Sequence, residues 1–349
     1  MPPAAPWTCP GRTSSHGCWR APRRPSLNPE RTWRPHPGPE MDGVLVVDKP
    51  SGLTSHDVVA HARRSLGVKR VGHIGTLDPL ATGVLPLVVG RATRLASLLS
   101  AGRKTYEGCI LLGVSTDTYD ATGTITADAR DRMGTGLVNA PDPTAIERAM
   151  AAFVGTRPQR PPPFSAKKIR GVRAYKLARR NQPVAPDPVE VTVHAAAVLR
   201  VDGTRVQCRV TCDPGFYMRA FAHDLGAALG CGGCLETLRR HRNGAFDLRG
   251  AVSIEEIESR GPAVADRMVP LAELLPELPR LVLTEHGARR ARHGDDLTAA
   301  DVVSSSADWA SRAVSSAAAT AKLYDGEGLL IAIARVGAAR LLHPTIVLV

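Results

Sequence analysis

The sequence predicts a mixed fold of strands and helices in about two domains. The chain has 349 residues, more than most single domains hold. Apolar residues alternate with polar ones in several runs, as in half-buried strands, and recur at helical spacing in others. From about Pro279 the pattern changes to short apolar runs that indicate a small β-rich domain. No apolar run is long enough to span a bilayer, so no membrane partner is expected.

The composition is strongly basic, with a net charge of +12 and a sequence pI of about 9.8. Such a charge favours an anionic partner, nucleic acid above all. The positive charge is spread along the chain, which favours a folded basic surface over a basic arm. A protein that is simply rich in arginine is the alternative. Seven cysteines without an apolar signal segment indicate a reducing compartment, so a cytoplasmic protein is predicted.

Residues 1–40 are rich in Pro, Arg and Ser and show no hydrophobic periodicity. They contain three of the four tryptophans, each isolated among prolines, around which no core can form. The composition therefore predicts a disordered extension over these residues. Met41 then opens a strand-like run and is expected to begin the functional chain.

The first helix is predicted with Thr54 or Ser55 as its cap and with its end at Gly67. A later helix is predicted to start at Ser253, with Glu256 completing a capping box. Between these helices the pattern predicts, in chain order, a strand "VLPLVVG", a helix "ATRLASLLSAG", a strand "KTYEGCILLG", a helix over 144–154, two or three strands from residue 190 onwards, and a helix "AFAHDLGAALG".

The segment from about residue 157 to 188 is basic and interrupted by prolines. Its only acid, Asp187, lies near its end. This composition predicts a flap that can close over a polyanion. A solvated basic loop is the alternative.

Four cysteines have spacings close to those of zinc ligands. Cys208 and Cys212, however, belong to a strand-like run, where small buried thiols are common. Cys231 and Cys234 follow Gly230, which is expected to end a helix. We therefore predict no metal site.

One carboxylate is isolated from other acids, that of Asp78 in the stretch "HIGTLDPLATGVLPL", which starts at His73. From Val58 to Tyr106 it is the only acidic residue, whereas Lys and Arg occur eight times. An Asp before Pro is common as the cap of a turn or helix, and on the local sequence this interpretation stays open.

Several enzyme classes do not fit this loop. Glycoside hydrolysis normally uses two carboxylates, and no second acid is near in the sequence. The chain has no Walker-type phosphate loop, no dinucleotide-binding glycine motif after its first strand, no His-Glu-x-x-His helix and no serine nucleophile elbow. If chemistry occurs here, a single Asp must act without a cofactor on an anionic substrate.

Six stretches follow one another between residues 42 and 260: "GVLVVDKPSGLTSHDVV", "VGHIGTLDPLATGVLPLVVGRATRL", "KTYEGCILLGVSTDTYDATG", "PPPFSAKKIRGVRAYKLAR", "GFYMRAFAHDLGAALGCGG" and "LRRHRNGAFDL". In this order they resemble the motifs of the bacterial tRNA pseudouridine-55 synthases, the TruB family. The block "GTLDPLATG" is highly specific for that family.

The resemblance implies that Asp78 is the catalytic aspartate of a pseudouridine synthase. Such an enzyme breaks the bond between ribose C1′ and uracil N1, rotates the base and joins C1′ to C5, without a metal or redox cofactor. The resemblance implies that Arg219 pairs with Asp78, that His73 stacks in the space left by the flipped base, and that Tyr106 stacks on the flipped uracil. Without it, these three residues would be a surface arginine, a packed or capping histidine and a core tyrosine.

Further roles follow from the same resemblance. Tyr217 and Leu238 match positions that line the uracil pocket, and Lys49 matches one that supports the loop or a phosphate. The predicted flap is expected to contact RNA phosphates through Lys167, Lys168, Arg170, Arg173, Arg179 and Arg180.

The implied fold class is α+β: a pseudouridine-synthase fold with a largely antiparallel central sheet flanked by helices and the flap on one rim. The catalytic domain is expected over residues 41–278. Many family members carry a PUA-type RNA-binding domain after it, which predicts a small β-rich domain over 279–349. This region matches the family only in being small, basic and β-rich, and it contains an Ala/Ser-rich insertion at about 304–321.

The predicted substrate is the TΨC stem-loop of tRNA, bound by a monomer that needs no guide RNA. One alternative is a catalytically silent RNA-binding or RNA-folding protein, which would not need the Asp–Tyr–Arg set. The other is a guide-RNA-dependent pseudouridine synthase within a ribonucleoprotein. The retained residues favour activity, and the bacterial-style motif spacing favours a stand-alone enzyme.

Overall fold

A computed structural model of the protein describes residues 41–130, 141–164, 168–169, 172–173, 186–305, 319–337 and 341–349. The predicted N-terminal extension and much of the predicted flap and insertion lie outside these ranges. No helix in the described part of the chain is both long enough and apolar enough to cross a bilayer.

The described strands are, in chain order, β1 (Gly43–Lys49), β2 (Val71–His73), β3 (Thr82–Val89), β4 (Lys104–Leu112), β5 (Val114–Thr116), β6 (Ile125–Asp128), β7 (Gly155–Gln159), β8 (Lys168–Ile169), β9 (Val172–Arg173), β10 (Val189–Asp202), β11 (Arg205–Cys212), β12 (Gly233–Asn243), β13 (Phe246–Asp247), β14 (Val269–Pro270), β15 (Arg280–Leu283), β16 (Val302–Ser305), β17 (Thr320–Tyr324), β18 (Leu330–Val336) and β19 (Leu342–Val347). The described α-helices are α1 (Ser55–Leu66), α2 (Ala96–Leu99), α3 (Pro143–Ala151), α4 (Met218–Ala228), α5 (Ile254–Arg260) and α6 (Glu285–His293).

A ten-stranded sheet forms the centre of the fold, in the order β14–β1–β3–β12–β4–β11–β10–β7, with β2 beside β3 and β13 beside β12. All of these pairings are antiparallel except that of β3 with β12, which is parallel. This topology confirms the predicted α+β class with a largely antiparallel sheet. The parallel pair matters for the site, because it joins the end of the Asp78 loop to β12.

Strand β1 shows that the sheet is buried on both faces at this end. Leu45 and Val47 share a core cluster with residues of α1 and α5. Val44 and Val46 belong to a second cluster, which includes Tyr324 of the C-terminal sheet. A continuous apolar run is the pattern expected of such a two-sided strand. Burying one Val or Leu side chain completely stabilises the folded state by about 1.5–3 kcal/mol relative to leaving it exposed.

The predicted helix ends are confirmed where the sequence carries a cap. Thr54 caps α1 in a reciprocal capping box with Asp57, and Gly67 ends the helix in the left-handed conformation, at φ 67°. The Ser253 side chain accepts a hydrogen bond from the Glu256 amide at the start of α5, but the Glu256 carboxylate pairs with Arg260, so only the Ser253 half of the predicted capping box is confirmed.

The helix predicted over residues 92–102 differs. The chain instead forms a 3₁₀-helix at Gly90–Leu95 and a single α-helical turn, α2. Its first amides are bonded outside the segment, because the Gly90 amide donates to the Arg70 carbonyl at 2.8 Å and the Arg91 amide to the Asp42 carboxylate at 2.5 Å. The segment is therefore helical as predicted, but its first half is 3₁₀ and its last α-helical residue is Leu99.

A second sheet of five strands, in the order β16–β15–β17–β18–β19, forms the C-terminal region. Only β15 and β17 pair in parallel, and α6 packs on this sheet through Ala288 and Ala291. The predicted β-rich character of this region is confirmed. The predicted insertion overlaps both neighbouring strands, since β16 ends at Ser305 and β17 begins at Thr320. Residues 306–318 lie outside the described ranges.

Candidate active site

Asp78 lines a cavity of about 290 Å³, at the lower end of the size range of small-molecule pockets. Its wall is formed by the loop before β3, by β4 and β12, and by the chain that leads into α4. The lining residues are Gly75, Thr76, Leu77, Asp78, Ser100, Lys104, Tyr106, Pro214, Gly215, Phe216, Tyr217, Met218, Arg219, Leu238 and Arg240.

Asp78 and Arg219 form a two-pronged ion pair across the cavity wall. The Arg219 Nε donates to one carboxylate oxygen at 2.8 Å, and its Nη2 donates to the other at 3.2 Å. The arginine side chain is only 6% exposed, whereas that of Asp78 is 37% exposed. Bidentate pairing fixes the plane of a carboxylate and stabilises its charge. The carboxylate is therefore held in a fixed orientation and is still accessible from the cavity.

Arg219 is itself held by three further contacts. Its Nη1 donates to the Thr118 carbonyl at 3.0 Å and its Nη2 to the Phe164 carbonyl at 2.8 Å. The Asp120 carboxylate, also buried, lies 3.7 Å from Nε. Arg219 lies in the first turn of α4, which begins two residues before the predicted start. The alternative of a surface arginine is therefore wrong.

The loop that carries Asp78 is fixed by its neighbours in the fold. The Ser55 hydroxyl accepts from the Leu77 amide at 2.8 Å and donates to the Leu77 carbonyl at 3.1 Å. The Ala81 amide donates to the Asp78 carbonyl at 3.0 Å, which closes a turn. Asp78 therefore both begins a turn, as expected of an Asp before Pro, and presents its carboxylate to the cavity.

Lys49 lies beneath this loop and is fully buried. Its Nζ donates to the carbonyls of Pro50 at 2.8 Å and Leu53 at 2.7 Å, with a weaker contact to that of Pro79 at 3.4 Å. Burial lowers the pKa of Lys49 to about 8. Lys49 does not line the cavity. Of its two predicted roles, support of the loop is the one that its contacts with backbone carbonyls favour.

Three of the predicted pocket residues line the cavity together with Asp78. Tyr106 and Leu238 are 7% and 8% exposed, on the neighbouring strands β4 and β12. Burial raises the pKa of the Tyr106 phenol. Tyr217 directly precedes α4, and its backbone is fixed because its amide donates to the Gln159 side chain at 2.8 Å.

His73 does not line this cavity. Its ring packs edge-on against that of His56, with 5.2 Å between ring centroids, and its Nδ1 has no hydrogen-bond partner among the described residues. Burial, with His56 and Arg240 nearby, lowers the pKa of His73 to about 4. The ring is therefore neutral near pH 7, which suits stacking in an apolar space.

Sequence reasoning missed three residues of the site. Lys104 and Arg240 line the cavity from β4 and β12, and Asp120 lies behind Arg219. Arg240 belongs to the run "LRRHRN", and such basic runs are usually solvated surface. What places Arg240 at the site is its pairing with Tyr106 between β12 and β4, and this pairing exists only in the folded sheet. Asp120 lies within a quoted motif, but nothing local distinguishes it.

The cysteines with zinc-like spacing are buried. Burial raises the pKa of the Cys208 and Cys212 thiols to about 12, and that of Cys234 to about 11. Among the described residues, no group of three or more His, Cys, Asp or Glu side chains is arranged to hold a metal ion.

The predicted flap is described only in part. Residues 157–159 belong to β7 in the central sheet, and β8 pairs antiparallel with β9. Lys168 and Arg173 lie in those two short strands. The other predicted phosphate contacts, Lys167, Arg170, Arg179 and Arg180, lie outside the described residues.

Solved structures show the same fold. "Structure of H/ACA RNP bound to a substrate RNA containing 2'-deoxyuridine" contains a chain that matches with a TM-score of 0.65 at 21% identity, over 93% of this chain and 92% of that one. The archaeal box H/ACA sRNP Nop10-Cbf5 complex matches with a TM-score of 0.63 at 22% identity, over 93% of each chain.

Curated relatives are much closer in sequence. The tRNA pseudouridine synthase B of Solibacter usitatus (strain Ellin6076) is 43% identical over 310 residues, which are 88% of this chain and 100% of the relative. That of Thermobifida fusca (strain YX) is 44% identical over 262 residues, 72% of this chain and 85% of the relative.

Two family models match the chain side by side. The TruB family pseudouridylate synthase (N terminal domain) covers residues 63–218, and the tRNA pseudouridylate synthase B C-terminal domain covers residues 219–275. The fold, the relatives and these matches together define a pseudouridylate synthase. Within that class, the chain belongs to the TruB family. The resemblance inferred from the six motifs is thereby confirmed.

Proposed function

We propose that this protein converts uridine 55 in the TΨC loop of tRNA to pseudouridine, with Asp78 as the catalytic group. The names of the curated relatives support tRNA as the substrate, and the motif resemblance supports position 55. In this proposal the enzyme acts in the cytoplasm as a monomer, without guide RNA.

The observation that carries the proposal is the charge arrangement of the cavity. Asp78 is the only acid among the described residues that line it, and it is bonded through both oxygens to Arg219. Tyr106 and Leu238 supply an aromatic and an apolar surface beside it. A small cavity with an aromatic and an apolar wall and one oriented carboxylate suits a flipped base whose glycosidic carbon must be reached by that carboxylate.

The reaction is an isomerisation in which atoms and electrons balance within the substrate. The bond from C1′ to N1 breaks, the bond from C1′ to C5 forms, C5 loses one proton and N1 gains one. Asp78 acts as an ionised group on the sugar or the base, and Tyr106 holds the uracil by stacking. The neutral His73 ring fills the place that the extruded base leaves in the RNA stack. Extrusion costs a few kcal/mol of unstacking.

The alternative function is that of a guide-RNA-dependent synthase. The observation that favours it is the similarity in fold to chains from H/ACA complexes. The much higher identity to the curated tRNA enzymes supports the stand-alone function instead. A purified chain that acts on tRNA with no other RNA present would separate the two.

The test is proton release from an unmodified tRNA transcript labelled with tritium at uracil C5. The wild-type chain should release one equivalent from position 55 without guide RNA, and a transcript with cytidine at position 55 should release none there. Asp78→Asn is nearly isosteric and removes the charge, so it should lower the rate at least about 1,000-fold. Its affinity for tRNA should stay within several-fold of wild type.

The matched control is Asp202→Asn, which removes an exposed carboxylate on β10 that lies 3.5 Å from Arg200. It should keep the wild-type rate. An Asp78→Asn variant that retains more than a few per cent of the wild-type rate would contradict the catalytic assignment. A wild-type chain that needs an added guide RNA would contradict the stand-alone function.

A further inference from the structure

Arg240 is the largest side chain among the described residues that is completely shielded from solvent. Its guanidinium carries a full positive charge. In the described part of the chain its guanidinium donates to backbone carbonyls and not to a carboxylate. Burying a charge without a counter-ion costs several kcal/mol. Its position therefore calls for an explanation beyond packing.

The guanidinium joins the two ends of the loop that carries Asp78. Its Nη2 donates to the Gly75 carbonyl at 2.8 Å, three residues before the aspartate. Its Nε donates to the Val84 carbonyl at 2.7 Å, six residues after it. Asn243 adds a neighbouring bond, from its Nδ2 to the Ile74 carbonyl at 2.9 Å. One arginine thus closes the base of the loop.

The backbone of Arg240 contacts the same loop. Gly83 lies opposite Arg240 in the parallel pairing of β3 and β12, with φ at +99°. A Cβ added to Gly83 would lie 2.2 Å from the Arg240 carbonyl oxygen. Gly75 has φ at +67°, and a Cβ there would lie 3.3 Å from Nη1 of Arg240. At Gly83 a side chain would prevent this approach of the two backbones, and at Gly75 the positive φ favours glycine.

Arg240 also faces the aromatic side of the cavity. It lies opposite Tyr106 in the antiparallel pairing of β12 and β4, which places the two side chains on one face of the sheet. Burial raises the pKa of Tyr106, and the charge of Arg240 opposes this rise. Burial and, after it, Arg240 lower the pKa of Lys104 to about 8. The charge of Arg240 therefore acts on both polar side chains that β4 contributes to the cavity.

We propose that Arg240 is a positioning residue for the isomerisation: it fixes the Asp78 loop against β12 and supplies a permanent positive charge on the Tyr106 side of the cavity. This inference rests on the proposed function. The Arg240 side chain is buried in the cavity wall and bonded to the loop carbonyls, not placed on the outer surface that meets the tRNA phosphates, so its loss should affect turnover more than binding.

The experiment compares Arg240→Met, Arg240→Lys and the control Arg200→Met, which removes an exposed arginine from β10. At saturating unmodified tRNA, Arg240→Met should lower single-turnover pseudouridine formation about 100-fold, the scale of effect of a misplaced reacting group. Arg240→Lys keeps the charge but loses the forked donors, and about a tenfold loss is expected. The dissociation constant for tRNA should stay within about twofold in all three variants, because phosphate contacts that set affinity are untouched.

The pH profile separates this role from a purely structural one. Removal of the cation raises the pKa of Lys104 and Tyr106, so the alkaline limb of the Arg240→Met profile should move to higher pH. The limb should keep its wild-type position in Arg240→Lys. A folded Arg240→Met variant with the wild-type rate, with an unmoved alkaline limb, or with tRNA affinity reduced as much as its rate would overturn the proposal.

If Arg240→Met does not fold, the positioning role is tested with the Arg240→Lys variant, provided that it folds. Slower turnover at unchanged tRNA affinity supports the positioning role, and wild-type turnover overturns it. Failure of the proposed function gives a different result, since the wild-type chain itself would then form no pseudouridine in tRNA.

Discussion

The two polar sides of the cavity hold their cations in different ways. On the side of α4, the Arg219 guanidinium is matched by the Asp78 carboxylate at 2.8 and 3.2 Å and has a second acid, Asp120, at 3.7 Å. On the side of β4 and β12, Lys104 and Arg240 donate to backbone carbonyls within the described residues. The first side has one cation against two acids, and the second carries excess positive charge.

This difference separates two tasks. A matched ion pair orients one carboxylate for chemistry without attracting other anions. Cations solvated by carbonyl groups keep an uncompensated field, which is worth more in a water-poor site than in bulk solvent. A cavity that must admit an anionic nucleotide and still present one reactive carboxylate can use both arrangements.

The largest effect on the rate is expected from removing the guanidinium of Arg219, which pairs with Asp78. Arg219→Met leaves Asp78 without its partner and two carbonyls without a donor, so the rate of pseudouridine formation should fall about 1,000-fold. The loss of the donors to the Thr118 and Phe164 carbonyls should also lower the free energy of unfolding by about 1–3 kcal/mol. Tritium release and thermal unfolding measure the two effects.

The control for Arg219 is Arg239→Met. Arg239 forms a two-pronged pair with Asp48, at 2.7 and 3.1 Å, but does not line the cavity. Its loss should lower stability and leave the rate within about threefold, as is usual for changes away from a site. Equal rate losses in the two variants would show that any broken ion pair, and not the orientation of Asp78, explains the effect.

An intermediate effect is expected from the cations of the predicted flap. Neutralising Lys167, Lys168, Arg170 and Arg173 together should weaken tRNA binding and reduce its salt dependence. The slope of log affinity against log salt should fall by about 0.7 to 0.9 for every phosphate that these residues neutralise. Arg240→Met should leave that slope unchanged, because its guanidinium is buried. A salt titration of tRNA binding in which the fourfold variant keeps the wild-type slope would mean that these residues form a solvated loop.

The smallest effect concerns Lys104 and the pH dependence of stability. Its pKa falls from the ordinary 10.5 to about 8 in the folded chain, mainly through burial. Between these values the unfolded chain binds the proton and the folded chain does not, so the free energy of unfolding should rise with pH in this window. Lys104→Met lacks this contribution, so the stability of the wild type relative to the variant should increase by about 1–3 kcal/mol from pH 8 to pH 10.5.

Denaturant unfolding at several pH values measures that difference, with Arg200→Met as a control that does not titrate. A difference that stays constant across the window would show that Lys104 is equally protonated in both states. Lys104 would then keep its positive charge to higher pH, and the β4–β12 side of the cavity would be more positive than the lowered pKa of Lys104 implies.

The sequence was most informative where chemistry and local geometry are written in adjacent residues. The caps at Thr54 and Ser253, the end of α1 at Gly67 and the strand character of β1 all follow from short-range patterns, and all are confirmed. The helix after β3 was predicted only in part, since the chain is helical there but forms a 3₁₀-helix at Gly90–Leu95 before the single α-helical turn at Ala96–Leu99.

By itself, the sequence determined the family and the identity of the lone acid, because six ordered motifs and the isolation of Asp78 are properties of the linear chain. The tertiary structure decided how that acid is held. The bonds from Arg219 to Thr118 and Phe164 and those from Arg240 to Gly75 and Val84 span long stretches of sequence. The physical reason is that a charge is defined by the residue type, whereas its orientation and desolvation depend on groups that only folding brings together.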